Sequence, residues 1–165
     1  VKASDEDIKF LANAAGSGSA QSGSDPVALA GLWVEQYGLG LGVITLGPGG
    51  GAAVEPGGNI TRVPGFPTKV VDTVGAGDTF MAGFLDGWVK LQAGLEASLE
   101  RGAAAASIVC SRRGAQPPTS AEVDDLIAEK PRFLRIPSGH NPCGFAPGRA
   151  IQPVTATSGG RSSST

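Results

Sequence analysis

The sequence predicts an α/β domain, on three observations. Amphipathic helical patterns alternate with short β-branched runs. The 26 glycines among those apolar runs imply many tight turns and close backbone approaches. The 165 residues match the length of a single domain, at roughly 150 residues each. An apolar fraction of 41% with 17% charge supports a modest core, and the absence of a three-residue glycine period excludes a collagen-like chain.

The first residues, Val1 to Asp7, read as a strand end running into a helix that Ser4 caps, with Asp5, Glu6 and Asp7 in its first turn. Residues 12–24 are rich in Ala, Gly, Ser and Asn and read as a flexible loop. A helix then opens at Asp25 (N-cap) and Pro26, presents Val27, Leu29, Ala30, Leu32, Trp33 and Tyr37, and stops at Gly38. Gly42–Leu46 is a short buried-strand pattern ending in the glycine turn 47–51. Ala52–Val54 and Ile60–Val63 flank Pro56-Gly57-Gly58-Asn59 and read as a hairpin. Lys69–Val71 reads as another short strand.

From Thr79 the spacing of Phe80, Phe84, Leu85, Trp88 and Val89 is helical, and a second helix covers Leu95 to Ser111. A last helix opens at the capping-box pair Thr119 and Glu122. These elements form one domain over residues 1–136. Residues 137–165 have few large apolar groups and read as a disordered tail.

The net charge of −2 gives no electrostatic footprint for nucleic acid. No run approaches the roughly 18 apolar residues of a membrane span. Val1–Asp7 lacks the basic-then-apolar pattern of a secretion leader, so a cytoplasmic location is expected. Cys110 and Cys143 cannot build a disulfide scaffold or a CxxC metal site.

The chemistry concentrates at Val70-Val71-Asp72-Thr73-Val74-Gly75-Ala76-Gly77-Asp78-Thr79-Phe80. A glycine turn opening a helix offers free N–H groups and the positive end of the helix dipole, which together favour an anion. Glycine at 75 and 77 lets a phosphate approach the backbone. Asp78 beside such a cradle repels the phosphate, and accepting a proton from an attacking hydroxyl is one reason to keep it there. A plain helix cap is the alternative reading. The stretch is neither a GxxxxGK[ST] loop nor a GxGxxG fingerprint, which disfavours a dinucleotide-binding dehydrogenase.

Residues 69–83, KVVDTVGAGDTFMAG, resemble the C-terminal signature of the ribokinase-like sugar kinases, the PfkB carbohydrate kinase family. Val43-Ile44-Thr45-Leu46-Gly47 followed by Gly50 resembles that family's nucleotide loop. Val63–Pro67 resembles its approach strand and Arg113–Pro117 its closing loop, all in the family's order. The resemblance covers roughly residues 1–136. It implies the C-terminal, ATP-side half of a ribokinase-like, Rossmann-type three-layer sandwich.

For function, the resemblance implies ATP-dependent phosphorylation of a primary hydroxyl on a small sugar, with Mg²⁺ and, in many members, K⁺. It places the catalytic base at Asp78 and the anion hole at the amides of Gly75, Ala76 and Gly77. Thr45, Gly47 and Gly50 line the nucleotide, and Ala103 stands near the adenine, with tight helix packing as the other reading of Ala103. Asp7, with Ser4, falls at the Mg²⁺ motif, and Asp72 at the monovalent-cation site. An acidic first turn and a self-capping Asp are the respective alternatives. The Lys2-x-Ser4-Asp5-Glu6 variant resembles fructokinase-type members, which makes fructose the leading acceptor. Kinases of ribose, a keto-deoxy sugar acid or a nucleoside stand next, and an inactive nucleotide-binding remnant is the reading from another class. A homodimer is expected of a full-length form.

Overall fold

The computed structural model describes residues 1–14 and 25–129. Strand β1 (Lys2–Ser4) leads into helix α1 (Asp5–Ala14), and helix α2 (Pro26–Gln36) into β2 (Gly42–Thr45). The hairpin β3 (Gly51–Val54) and β4 (Ile60–Val63) follows, then helices α3 (Ala76–Leu85), α4 (Leu95–Cys110) and α5 (Ser120–Glu129). The four strands form one sheet in chain order. β1 and β2 are parallel, with Ser4 opposite Thr45; the other neighbours are antiparallel, with Thr45 opposite Gly51 and Gly51 opposite Val63.

Strand alternation sorts the core into two faces. Ile44, Ala52 and Val54 turn to one side, where Ile8 of α1 and Val27, Ala30 and Val34 of α2 bury against them. Val43, Ala53 and Val63 turn to the other, against Phe80 and Phe84 of α3 and Leu99 and Ala103 of α4. A sheet with helices on both faces is a three-layer sandwich. Small residues bring α3 and α4 close: a Cβ on Gly102 would stand 2.8 Å from the Phe80 carbonyl oxygen, and one on Gly83 2.8 Å from that of Arg101.

Local signals explain most element ends. Ser4 and Asp7 close α1 as a reciprocal pair, the Asp7 amide donating to the Ser4 hydroxyl and the Ser4 amide to the Asp7 carboxylate. The Asp25 carboxylate accepts from the Val27 amide at the start of α2. The Glu122 amide donates to the Thr119 hydroxyl and the Thr119 amide to the Glu122 carboxylate at α5.

Four expectations need correction. Helix α1 continues to Ala14 because Ala12, Asn13 and Ala14 tolerate helix and the first glycine comes only at 16. Lys69–Val71 is not a strand: the Val71 and Asp72 amides both donate to the Cys110 carbonyl at the end of α4, so this segment has no sheet neighbour. Helix α3 begins at Ala76, three residues before Thr79, and passes at Asp86–Lys90 into a π-turn that leaves Val89 exposed. Leu32 of α2 and Tyr37 at its C-terminal cap are exposed to solvent. The expected tail, 137–165, lies outside the described residues.

Candidate functional site

Gly75 occupies the N-cap position of α3 with φ +79°, the left-handed region that glycine enters without steric cost. That turn decides which amides are free. The Ala76 amide donates to the Thr73 carbonyl at 3.2 Å, and the Thr79 amide to Gly75 at 2.9 Å. The amides of Gly75, Gly77 and Asp78 find no acceptor among the described residues. The unpaired donors at this helix end are therefore Gly75, Gly77 and Asp78, with Ala76 already engaged. An anion placed here would meet both the donors and the helix dipole.

Asp78 lies exposed in the first turn of α3, one residue past Gly77, and makes no hydrogen bond or ion pair with any described residue. No side chain caps this helix, so capping does not account for Asp78. Two and six residues later, Phe80 and Phe84 anchor α3 in the core. The carboxylate thus sits on a rigid element while its own atoms stay open.

Asp72 acts as a clamp. One carboxylate oxygen accepts from the Val74 amide at 3.1 Å and the other from the Gly114 amide at 2.9 Å. These bonds hold the Asp72 carboxyl below its ordinary value, the Val74 bond first and the Gly114 bond next. The clamp ties the turn before α3 to the 112–117 loop, and Ala115 Cβ lies 2.9 Å from where a Cβ on Gly75 would stand. The loop is braced further by Arg112, which donates to the Gln116 and Pro117 carbonyls and pairs with Glu122.

Asp7 is exposed at the start of α1, its carboxyl lowered by the hydrogen bonds with Ser4 and, more weakly, by the charge of Lys2. Because Ser4 pairs with Thr45, this acidic turn lies beside the end of β2. Thr45 is half-buried there, and Gly47 follows with φ +54° in a short 3₁₀ turn. Gly50 is buried with φ +92°; a Cβ would sit 2.3 Å from the Val63 carbonyl oxygen and 2.5 Å from the Gly65 amide nitrogen. The 63–65 segment therefore closes against the 47–50 turn by direct backbone contact. The Phe80 ring lies against Gly51, which ties the same turn to α3.

Sheet and turns thus bring Ser4, Asp7, Thr45 and Gly50 to the same end of the sheet, and Asp72, Gly75, Gly77 and Asp78 to the turn and first residues of α3. Ala103 stands apart: it is 4% exposed and packed in the α3–α4 core, so packing accounts for it. Among the described residues, no group of three or more His, Cys, Asp or Glu could hold a metal ion. Two features escaped sequence reasoning. The Asp72–Gly114 bond joins residues far apart in the chain, and Lys2 of β1 reaches Gly77 of α3.

A family model, "pfkB family carbohydrate kinase", matches residues 1–122. The 5-dehydro-2-deoxygluconokinase of Bacillus licheniformis is 40% identical over 90 residues, spanning 53% of this chain and 27% of that protein. The protein of the same name from Lacticaseibacillus casei is 46% identical over 77 residues, 47% of this chain and 23% of the relative. The chain therefore spans about a quarter of the length of these relatives. Among solved structures, Thermotoga maritima ribokinase superposes with a TM-score of 0.66 at 26% identity, over 77% of this chain and 41% of that one. Escherichia coli phosphofructokinase-2 in complex with potassium gives 0.64 at 25%, over 81% and 40%. The three layers are accordingly part of the ribokinase-type fold. With the glycine turn, the open carboxylate and the match over residues 1–122 in agreement, the chain belongs to the pfkB family of carbohydrate kinases.

Proposed function

We propose that this chain forms the phosphoryl-transfer side of an ATP-dependent sugar kinase that phosphorylates a primary hydroxyl. The observation that supports it is an unengaged Asp78 carboxylate in the first turn of α3, at a helix N-terminus with free amides at Gly75, Gly77 and Asp78. In this reading Asp78 accepts the proton of the acceptor hydroxyl as its oxygen bonds to the γ-phosphorus of ATP. The bond from that phosphorus to the bridging oxygen breaks, and ADP leaves with the electron pair. The free amides, with Ala76 completing the turn that aims them, stabilise the charge gathering on the transferring group. Thr45, Gly47 and Gly50 line the nucleotide in the same reading.

Asp7 fits a hydrated Mg²⁺, an ion that keeps several waters and uses one or two carboxylates, because the Ser4 amide engages only one of its oxygens. Mg²⁺ would supply charge neutralisation on the phosphates. Asp72 has both oxygens committed to amides, and no step is assigned to K⁺.

Two acceptors stand. The curated relatives' name favours 5-dehydro-2-deoxygluconate, a keto-deoxy sugar acid, over the fructose that the Ser4–Asp7 pattern favours. A cytoplasmic location and a homodimer of a longer form belong to the same proposal. The test is a coupled ATP-consumption assay with each sugar, with and without the remaining N-terminal portion of a relative co-expressed. The expected result is turnover with one acceptor and a loss of roughly 10²- to 10⁴-fold in kcat for Asp78→Asn. Full activity in Asp78→Asn would overturn the role of Asp78. ATP binding without turnover under any condition would favour the inactive remnant.

A further inference from the structure

Arg112 stands two residues beyond α4, and its guanidinium joins two elements. One nitrogen donates to the Gln116 and Pro117 carbonyls, each at 3.3 Å, and another donates to the Glu122 carboxylate. Glu122 is itself fixed, because its second oxygen accepts from the Thr119 amide at 2.7 Å and from the Thr119 hydroxyl at 3.0 Å. Those Thr119 bonds first, and Arg112 after them, hold the Glu122 carboxyl below its ordinary value, so it stays ionised at neutral pH. Helix α5 in turn is sealed to α4 by Val123, buried against Ala104 and Ala105.

The far side of the same loop touches the turn before α3. The Gly114 amide donates to Asp72, and Ala115 Cβ lies 2.9 Å from the place a Cβ on Gly75 would take. Between these ends the loop is tight: Gly114 has φ +73°, and the Gln116 amide donates back to the Gly114 carbonyl at 2.9 Å. So tight a loop moves as one piece, and a bond at Gln116 and Pro117 is felt at Gly114 and Ala115. From Glu122 to Gly75 every step is a hydrogen bond or a packed contact, the kind of contiguous chain that carries coupling. We propose that Arg112 is a positioning residue for phosphoryl transfer. Through the 112–117 loop it fixes the Gly75 turn, and with it the direction of the Gly75, Gly77 and Asp78 amides. This role rests on the kinase reading above, and Arg112 fills it without touching the substrate. A partly exposed ion pair contributes little to stability, so its effect is expected in geometry rather than in unfolding.

The experiment is calorimetric titration of the 165-residue chain with inorganic tripolyphosphate, with NMR of the Gly75, Ala76 and Gly77 amides and thermal unfolding as the fold check. The variants are Arg112→Met, Glu122→Gln, Asp72→Asn, the Arg112→Met/Asp72→Asn double and Val123→Ala. Arg112→Met is expected to weaken tripolyphosphate roughly three- to tenfold, the size of an ordinary coupling between neighbours, and to shift the three amides. Glu122→Gln keeps the side chain's shape and removes its charge, so it should give a smaller loss in the same direction. In the double variant the losses should fall short of additive, because both bonds act through one loop. Val123→Ala loosens α5 without touching that loop; it should lower the unfolding midpoint and leave tripolyphosphate affinity unchanged. Unchanged affinity in folded Arg112→Met and Glu122→Gln overturns the role of Arg112 and leaves the kinase reading standing. An equal loss in Val123→Ala also overturns it, because the effect would then be on the fold, and fully additive losses overturn the path through the loop. A parent chain that does not bind tripolyphosphate overturns the kinase reading and the role of Arg112 together.

Discussion

Asp72 reaches across to the loop after α4 and accepts a hydrogen bond from the Gly114 amide at 2.9 Å, while its second oxygen holds the Val74 amide. The residue thus sets the position of the Gly75 turn relative to the loop that lies against it. Gly75 keeps its left-handed conformation between that clamp and Ala115.

The clamp makes stability pH-dependent. Asp72 is depressed below its ordinary carboxyl value of 3.8, so the folded state binds its proton less readily than the unfolded chain. Its contribution is present above pH about 4 and is lost as pH falls below that value. Asp72→Asn keeps one acceptor oxygen and should flatten this acid limb. Hydrogen exchange at Val74 and Gly114, followed between pH 5 and pH 3 by NMR, on the order of one pH unit either side of the ordinary value, checks it. An unchanged acid profile in Asp72→Asn would count against the clamp.

The two glycines of the turn should respond in opposite ways. Gly75→Ala forces a Cβ into the left-handed region and to 2.9 Å from Ala115 Cβ, at a cost of about 1–2 kcal/mol or more. Gly77 lies inside α3, where alanine is the better helix former by about 0.5–1 kcal/mol. Only the movable Lys2 ammonium stands in its way. Urea denaturation should therefore show Gly75→Ala destabilised and Gly77→Ala equal to or above the parent. Both should lose tripolyphosphate affinity, Gly77→Ala because its methyl covers the cradle.

Arg101 joins three elements from inside the structure. At 8% exposure it pairs with Asp86 in the π-turn at 2.7 Å and with Asp124 of α5, and its Nε is buried without a partner. Burial opposes its charge, and the hydrogen bonds to Asp124 and Asp86 outweigh that, leaving the guanidinium above its usual value. Asp86 is lowered chiefly by the Arg101 bond. Arg101→Met leaves Asp86 with only the exposed Lys90, and a loss of about 2–4 kcal/mol is expected, toward the lower part of the range for a broken buried pair because Asp124 is solvated. Chemical denaturation measures it. A change below about 0.5 kcal/mol, the size of an ordinary surface substitution, would show the pair to be ornamental to stability.

Period and punctuation in the sequence determined most of this protein's local structure. Asp25-Pro26, the Thr119–Glu122 pair and the Ser4–Asp7 turn each complete their hydrogen bonds within three residues, so their geometry is written in adjacent letters. The glycine turn, Asp78 and the family signature were legible for the same reason. Tertiary structure alone decided that the Val71 and Asp72 amides would bond to the Cys110 carbonyl rather than leave 69–71 to join the sheet, and it chose core packing between the two readings of Ala103. It also brought Lys2 to Gly77, Asp72 to Gly114 and Arg101 to Asp124. Contacts between distant residues depend on how layers stack, and no periodicity within a single element encodes that stacking.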